Sequence, residues 1–509
     1  MSKYNSNADA AERQLNNLSP TMCFAKWAQV SINLTNGLTH SCYHPPAHKV
    51  NLEEIEKDPS ALHNTQQKKQ ERKLMLSGKR PEGCSYCWKM EDQGNRSDRI
   101  YKSGEAWAQN SKKDIIDTLD TGSINPRYVE INFNQTCNLK CMYCSPHISS
   151  AWEDDIIKHG PISIADGKTG DQSKHNDLSY FIDSKTMPFA GRQADNPYLA
   201  AFWKWWPDLY KDLEVFRVTG GEPLLDSNFY QVLDYIYKNP NSTLEASITS
   251  NFCPPRPEIM NKFISKLKKL EEIQIWEDTS KFNPAANNYW YVNMALKNFT
   301  TFVSVDSVGA QAEYIRDGLT FDTLDKNVHR YLTETINTSI TFINTFNILS
   351  LPKFKDFLIY ILQLRQTYSK SNQPLILIPI EDKWTTHPDY EVHPRQRIGL
   401  DIPLLTSPAW QNINILPAEF SHYIEDGIKF MEQNSDISDG AGFYDFEIEK
   451  VKRNLRHMNS INNAKEVKIA QDNFVSFFDQ YDKRRNLSFV DTFPEYSELY
   501  HEWRAARDR

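Results

Sequence analysis

Tyr128-Val129-Glu130-Ile131-Asn132-Phe133 reads as a strand, and Cys137-Asn138-Leu139-Lys140-Cys141-Met142-Tyr143-Cys144 follows it directly. The second stretch is C-x3-C-x2-C. Three thiolates this close can chelate a 4Fe-4S cluster, which normally takes four cysteines. With three, one iron stays open to a small molecule. An open metal position points to chemistry, while a closed one points to structure or electron transfer. A second strand-like run, Glu214 to Thr219, leads into Gly220-Gly221-Glu222-Pro223. Glycines there let backbone approach a ligand closely.

The C-x3-C-x2-C loop followed by Gly-Gly-Glu-Pro, each after a strand, resembles the radical S-adenosylmethionine (SAM) enzymes. The resemblance implies that SAM chelates the open iron, and that the reduced cluster cleaves SAM to a 5′-deoxyadenosyl radical. It implies that Gly220, Gly221, Glu222 and Pro223 hold the SAM amino group. The end of the third strand candidate, Ile248-Thr249-Ser250-Asn251, resembles the family's Thr-Asn-Gly turn near SAM. Val303-Ser304-Val305-Asp306-Ser307, then Ile315-Arg316-Asp317-Gly318, resembles the family's Ser-x-Asp strand and the Ile-Arg-Gly-like segment after it. By that resemblance Ser304 bonds the SAM ribose, Arg316 its carboxylate, and Tyr143 stands near the adenine. The match departs at Asp317, which separates Arg316 from Gly318. Asp306 is expected at the barrel mouth, where it orients substrate, takes a proton, or serves as a structural hydrogen-bonding group.

The chain has 509 residues, 39% of them hydrophobic, and a net charge of −8. That length implies two or three domains, and the negative balance argues against a nucleic-acid partner. A local basic stretch holds Lys68, Lys69, Arg72, Lys73, Lys79 and Arg80. It reads as a solvated helix face or, alternatively, a binding patch. No apolar run is long enough for a membrane span, and the polar N-terminus lacks a signal peptide's apolar stretch. The expected location is the cytoplasm, where closely spaced cysteines favour metal over disulfides.

Cys23 and Cys42 stand as C-x13-G-x4-C around Gly37, and Cys84 and Cys87 form C-x2-C. Asn36-Gly37 between two short strand-like runs predicts a hairpin returning Cys42 to Cys23. Four cysteines make a complete ligand set, for a second, auxiliary 4Fe-4S cluster or for structural zinc. The pattern resembles the twitch module, a shortened SPASM relative, here placed before the barrel. His40 and His44 flank Cys42 and read as packed or surface groups. Cys253 reads as a buried thiol.

Past residue 125 strands alternate with helices, which argues for parallel strands and crossover helices. The strand candidates are Tyr128–Phe133, Glu214–Thr219, Leu244–Ser250, Thr300–Asp306, Ser339–Thr345 and Pro374–Ile378. The fold expected is α/β, a partial (β/α)6 TIM-like radical SAM barrel with an N-terminal iron–sulfur auxiliary module and a helical C-terminal cap. Its divisions are a disordered 1–20, an auxiliary module 21–110, a barrel 125–385 with a flexible polar insertion at about 160–197, and a cap 386–509. A second insertion is read at Asp278 to Tyr291, and Phe202-Trp203-Lys204-Trp205-Trp206 is read as helix packing. The function expected is hydrogen abstraction from a peptide or small molecule, with flavodoxin or ferredoxin as electron donor. A non-catalytic iron–sulfur electron carrier and a radical SAM RNA-modifying enzyme are the alternatives.

Overall fold

The computed structural model describes residues 3–119, 122–179, 196–272, 295–336, 338–368, 377–380, 383–386, 397–438 and 440–509. The chain divides into two units. One comprises Met1–Gln135, Ser184–Phe229 and Thr243–Ser247; the other comprises Thr136–Asp183, Tyr230–Ser242 and Ile248–Arg509. The fold is mixed α/β with parallel strand pairs in both units. Among the described residues no helix is long and apolar enough to cross a membrane.

In the first unit the predicted hairpin forms. Gln29–Asn33 pairs antiparallel with Leu38–His40, Ile32 opposite Thr39. The strand Gln29–Asn33 also runs parallel to Tyr128–Asn132, Ile32 opposite Ile131. Tyr128–Asn132 in turn runs parallel to Val215–Thr219. A boundary between residues 110 and 125 therefore does not separate two bodies, because the hairpin joins the strand that leads toward the cysteine loop. The stretch 1–20, expected to be disordered, carries regular structure from Lys3 onward. Lys3–Leu18 is a helix, and Ala8, Ala11 and Leu15 are buried. Their spacing of three and four puts the few apolar residues of a polar segment on one face, which is enough to dock it. Leu15 joins a core with Phe24, Trp27, Trp88 and Trp107. The tryptophan-rich segment lies in the helix Pro197–Asp212, where Phe202, Trp205 and Trp206 are buried as expected.

In the second unit Leu296–Ser304, Thr338–Ile343 and Ile398–Asp401 run parallel, with Val303 opposite Phe342 and Phe342 opposite Leu400. The sixth strand was expected at Pro374–Ile378. Residues 374–376 lie outside the described residues, and Leu377–Ile380 pairs antiparallel with Lys383–Thr386. The parallel partner is Ile398–Asp401, whose four residues, one of them Gly399, carry a weaker strand signal than the apolar run before it. Within the polar insertion, Ile162–Ala165 and Gln172–His175 form a hairpin. Asn473 and Gln480, on the helix Ala464–Arg485, bond its edge through Ala165 and Ser163. That part is thus docked and not a loose excursion, and 180–195 lie outside the described residues. So do Asp278 to Tyr291.

The C-terminal part is helical, with His422–Gln433, Asp445–Met458, Ala464–Arg485 and Ser497–Arg507. Arg365, on the helix Phe354–Tyr368, ties it to the parallel strands. Its Nε donates to the Ile398 carbonyl at 3.0 Å, and its two Nη atoms reach the Glu447 carboxylate at 2.7 and 3.1 Å. Arg365 is 0% and Glu447 2% exposed. Removing one member of such a pair strands a charge without water. Glu447→Ala is expected to cost about 3–5 kcal/mol. Denaturant unfolding of the variant against the wild type checks this.

Candidate functional site

Cys137, Cys141 and Cys144 share one loop of the second unit, and its backbone is fastened residue by residue. The Cys137 N–H donates to Ser150 Oγ at 3.1 Å, and Ser149 Oγ donates to the Leu139 carbonyl at 2.9 Å. Trp152 Nε1 donates to the Cys141 carbonyl at 2.8 Å. The Gln411 amide donates to the Met142 carbonyl and that of Asn176 to the Cys144 carbonyl, both at 3.1 Å. Lys140–Cys141 pairs antiparallel with Arg316–Asp317, which sets Arg316 opposite Cys141. Gly318 has φ +101°, and a Cβ there would stand 2.9 Å from the Asn138 carbonyl oxygen. The glycine displaced by Asp317 is thus the one on which the cysteine loop rests.

Arg316 is buried and engaged on three sides. Its Nε donates to Asp306 Oδ2 at 2.8 Å, an Nη lies 3.3 Å from Cys141 Sγ, and the other Nη meets the Tyr143 hydroxyl. Tyr143 donates to Asp306 Oδ2 at 2.8 Å, and the Thr345 N–H donates to Oδ1 at 2.9 Å. Burial opposes the charge on Arg316, but Asp306, Tyr143 and Cys141 hold it protonated, above its ordinary range. Burial pushes the Tyr143 hydroxyl well up, so it stays a donor. Burial also raises the Cys141 thiol, against the pull of Arg316. Cys144 is raised by burial and then by Cys141 and Cys137.

Asn251 joins the same loop. Its Nδ2 donates to Asn138 Oδ1 at 3.0 Å, and Asn138 Nδ2 donates to the Cys253 carbonyl at 2.9 Å. Ser250 Oγ accepts from the Phe252 N–H at 2.9 Å. Phe252 holds φ +57° without being glycine, at the turn position where the resembled Thr-Asn-Gly has its glycine. Ser304 ends its strand opposite Ile343, two residues before Asp306.

The Gly-Gly-Glu-Pro turn belongs to the first unit. Gly220 has φ +121°, and a Cβ there would meet Asn132 Oδ1 at 2.3 Å. The Gly221 N–H donates to the Asn134 carbonyl at 3.2 Å. Glu222 is buried and accepts from the Leu224 N–H at 3.0 Å, capping the short turn of helix Pro223–Leu225.

Cys23, Cys42, Cys84 and Cys87 all line one pocket of the first unit, with Lys26, His44 and Arg99. Burial pushes the Cys42 and Cys84 thiols up to about 12, with further pressure from neighbouring thiols. Cys87 is pushed up to about 11 by burial and then by Cys23. Lys26 is buried, pairs with Glu71, and lies 3.9 Å from Cys84 Sγ. His44 bonds Asp98 at 2.7 Å and stacks on Tyr86, while His40 bonds the Cys42 carbonyl. Both histidines are thus engaged as packing groups. Buried thiols raised in this way lose their protons readily only to a bound metal's charge. Seven thiols in groups of three and four fit thiolate-ligated iron–sulfur clusters by donor chemistry. Among the described residues no three His, Cys, Asp or Glu side chains are placed to hold a single metal ion.

Several residues around the loop carry no signal in the sequence. Trp152, Asn176 and Gln411 reach the loop from distant sequence, with no motif of their own. Arg485 bonds Asp317 at 2.8 Å, packs over the Tyr481 ring, and so braces the strand opposite Cys141. The basic stretch proved structural in part. The helix Gln66–Leu76 buries Lys68 and Arg72. Lys68 donates to Thr39 Oγ1 at 2.9 Å, and Arg72 to Asn64 Oδ1 at 2.9 Å and the Lys26 carbonyl at 3.2 Å. Neither is available to a phosphate backbone.

No protein-family model matches the chain, and no curated protein matches it. Among solved structures it is similar to Streptococcus suis SuiB bound to S-adenosylmethionine, with TM-score 0.29 and 12% identity over 66% of this chain and 59% of that one. It is also similar to another SuiB structure, with TM-score 0.28 and 11% identity over 82% and 76%. The chain therefore spans about 59% of the first of these structures. Similarity at this level does not assign the chain to a family.

The loop's seat on Gly318 is testable apart from any cofactor. Gly318→Ala is expected to cost about 2 kcal/mol or more, from the positive φ and the clash with Asn138. Gly167→Ala, where nothing stands within 4 Å of the new Cβ, is expected to stay within about 0.5 kcal/mol. Equal losses in denaturant unfolding would contradict the loop's dependence on Gly318.

Proposed function

We propose that this chain is a radical S-adenosylmethionine enzyme with an auxiliary iron–sulfur site. The observation that carries the proposal is the three-thiol loop. Cys137, Cys141 and Cys144 follow one another on one short loop whose backbone is fastened by Ser149, Ser150, Trp152, Asn176 and Gln411 among others, with no fourth cysteine in the loop and a buried cation at Cys141. A cluster held there would supply one-electron reduction of SAM and, from it, a hydrogen-abstracting radical. The chain's own residues would do the rest. The loop would hold three irons and leave the fourth to SAM, and Glu222 would take the SAM amino group. Asp306 is best read as a positioning residue. It is fully buried and its bonds go to Arg316, Tyr143 and Thr345, which leaves it no route to a proton on substrate.

The four-thiol pocket supports a closed second site. Lys26 and Arg99 beside it would offset the charge of four thiolates. Burial of Lys68 and Arg72 weighs against the RNA-modifying alternative, and a peptide or small molecule remains the favoured substrate class. Location in the cytoplasm and a flavodoxin- or ferredoxin-type donor belong to the same reading.

Anaerobically reconstituted protein is expected to bind about eight irons, and about four once Cys137, Cys141 and Cys144 are replaced by Ala. One zinc beside about four irons would replace the auxiliary cluster by a structural zinc site. Reduced, iron-replete protein given SAM is expected to release 5′-deoxyadenosine and methionine, slowly without substrate. Glu222→Ala should weaken SAM binding with both iron contents unchanged. Intact protein that neither binds nor cleaves SAM would leave an electron carrier as the better reading.

A further inference from the structure

Resemblance assigns Arg316 to the carboxylate of SAM, but the geometry points to a different task. We infer that Arg316 is a positioning residue for the cluster itself, donating an N–H to the Cys141 thiolate and so raising the reduction potential of the site. The inference rests on the radical SAM reading of the three-thiol loop.

Three observations carry it. First, the backbone fixes the approach. Arg316 and Cys141 are partners in a two-residue antiparallel ladder, and the Met142 N–H donates to the Ile315 carbonyl at 3.0 Å. The arginine side chain therefore starts from the strand that flanks the sulfur. Second, the guanidinium is aimed. Its Nε is pinned by Asp306 at 2.8 Å and one Nη by the Tyr143 hydroxyl, which leaves the other Nη 3.3 Å from Cys141 Sγ. A planar fork held at two corners has little freedom at the third. Third, the side chain is only 5% exposed and Asp306 is 0% exposed, so water does not screen the charge. Nε and both Nη atoms of the guanidinium are thus directed at groups of the protein itself: Asp306, Cys141 and Tyr143.

The physical consequence has a definite sign. Adding one electron to a thiolate-ligated cluster increases the negative charge on its sulfurs. Hydrogen bonds to those sulfurs, and a nearby positive charge, favour the reduced form. Asp306 partly offsets the charge but not the directional N–H to sulfur. Removing Arg316 should therefore make the site harder to reduce, by an external one-electron donor, without removing any iron ligand.

The test is an anaerobic redox titration followed by electron paramagnetic resonance. The signal read is the one that disappears when Cys137, Cys141 and Cys144 are replaced by Ala. Arg316→Gln leaves Asp306 unpaired, so the double variant Arg316→Gln with Asp306→Asn is made beside it, and Arg316→Lys keeps a charge without the fork. Iron content and unfolding midpoints confirm that each is loaded and folded. Arg316→Gln is expected to lower the ratio of reduced to oxidised site at a fixed poise at least tenfold, equivalent to 59 mV for one electron. The double variant should shift in the same direction, and Arg316→Lys by less. SAM affinity, measured by equilibrium dialysis on the oxidised protein, should change less than about threefold in Arg316→Lys. An unchanged midpoint in every variant overturns the inference. If SAM affinity also falls tenfold, Arg316 returns to the SAM carboxylate. Absence of the signal from wild-type protein would sink the radical SAM reading and this inference together.

Discussion

A buried guanidinium must be answered by acceptors on every side, and Arg316 is answered by Asp306, Tyr143 and Cys141. Much of the second unit is arranged around that requirement. Asp306 follows the end of a parallel strand, and Asn344 and Thr345, after the next strand, bond its backbone and carboxylate. Tyr143 comes from the cysteine loop itself. Asp317, next to Arg316, takes Lys140 and Arg485, each at 2.8 Å. Two strand ends, the cysteine loop and the long C-terminal helix are thus tied through one short ladder. Charges this deep are costly unless paired, so the geometry of the pairings is strongly specified.

The two thiol sites share a principle and differ in detail. Burial raises Cys141 and Cys144 in one and Cys23, Cys42, Cys84 and Cys87 in the other, and in each a buried cation stands by one sulfur: Arg316 at Cys141 and Lys26 at Cys84. The cation lowers the charge that four or three thiolates would otherwise place in an apolar surrounding. Lys26 is itself balanced by Glu71, as Arg316 is by Asp306. The cations carry no motif, because many sequences can place a basic residue near a pocket, whereas a cluster's ligands must be cysteines at set spacings.

That difference explains what was legible in the sequence. Cys137, Cys141 and Cys144, and the Asn36-Gly37 hairpin, are local patterns and are legible in the sequence itself. The strands at Tyr128, Val215 and Thr338 are legible as short runs rich in β-branched and aromatic residues bounded by turn signals. The helix Lys3–Leu18 was missed because its apolar face has only a few small or isolated residues, and its stability comes from the partner it docks on. The strand Ile398–Asp401 was missed because its four residues gain their conformation from pairing with Thr338–Ile343. The clamps Gln411, Asn176 and Arg485 were invisible for the same reason, since long-range contact leaves no local period. The basic stretch misled in the opposite direction. Lys68 and Arg72 look like a surface patch in sequence, yet the fold buries both against backbone carbonyls and side-chain acceptors.

A cluster held by Cys137, Cys141 and Cys144 would leave one iron open to SAM. Mössbauer spectroscopy of protein loaded with ⁵⁷Fe, with and without SAM, reads this directly. One iron in one of two cubanes should change its isomer shift on SAM addition, and the change should vanish when Cys137, Cys141 and Cys144 are replaced. A spectrum that SAM leaves untouched, with every iron equally ligated by sulfur, would contradict the account.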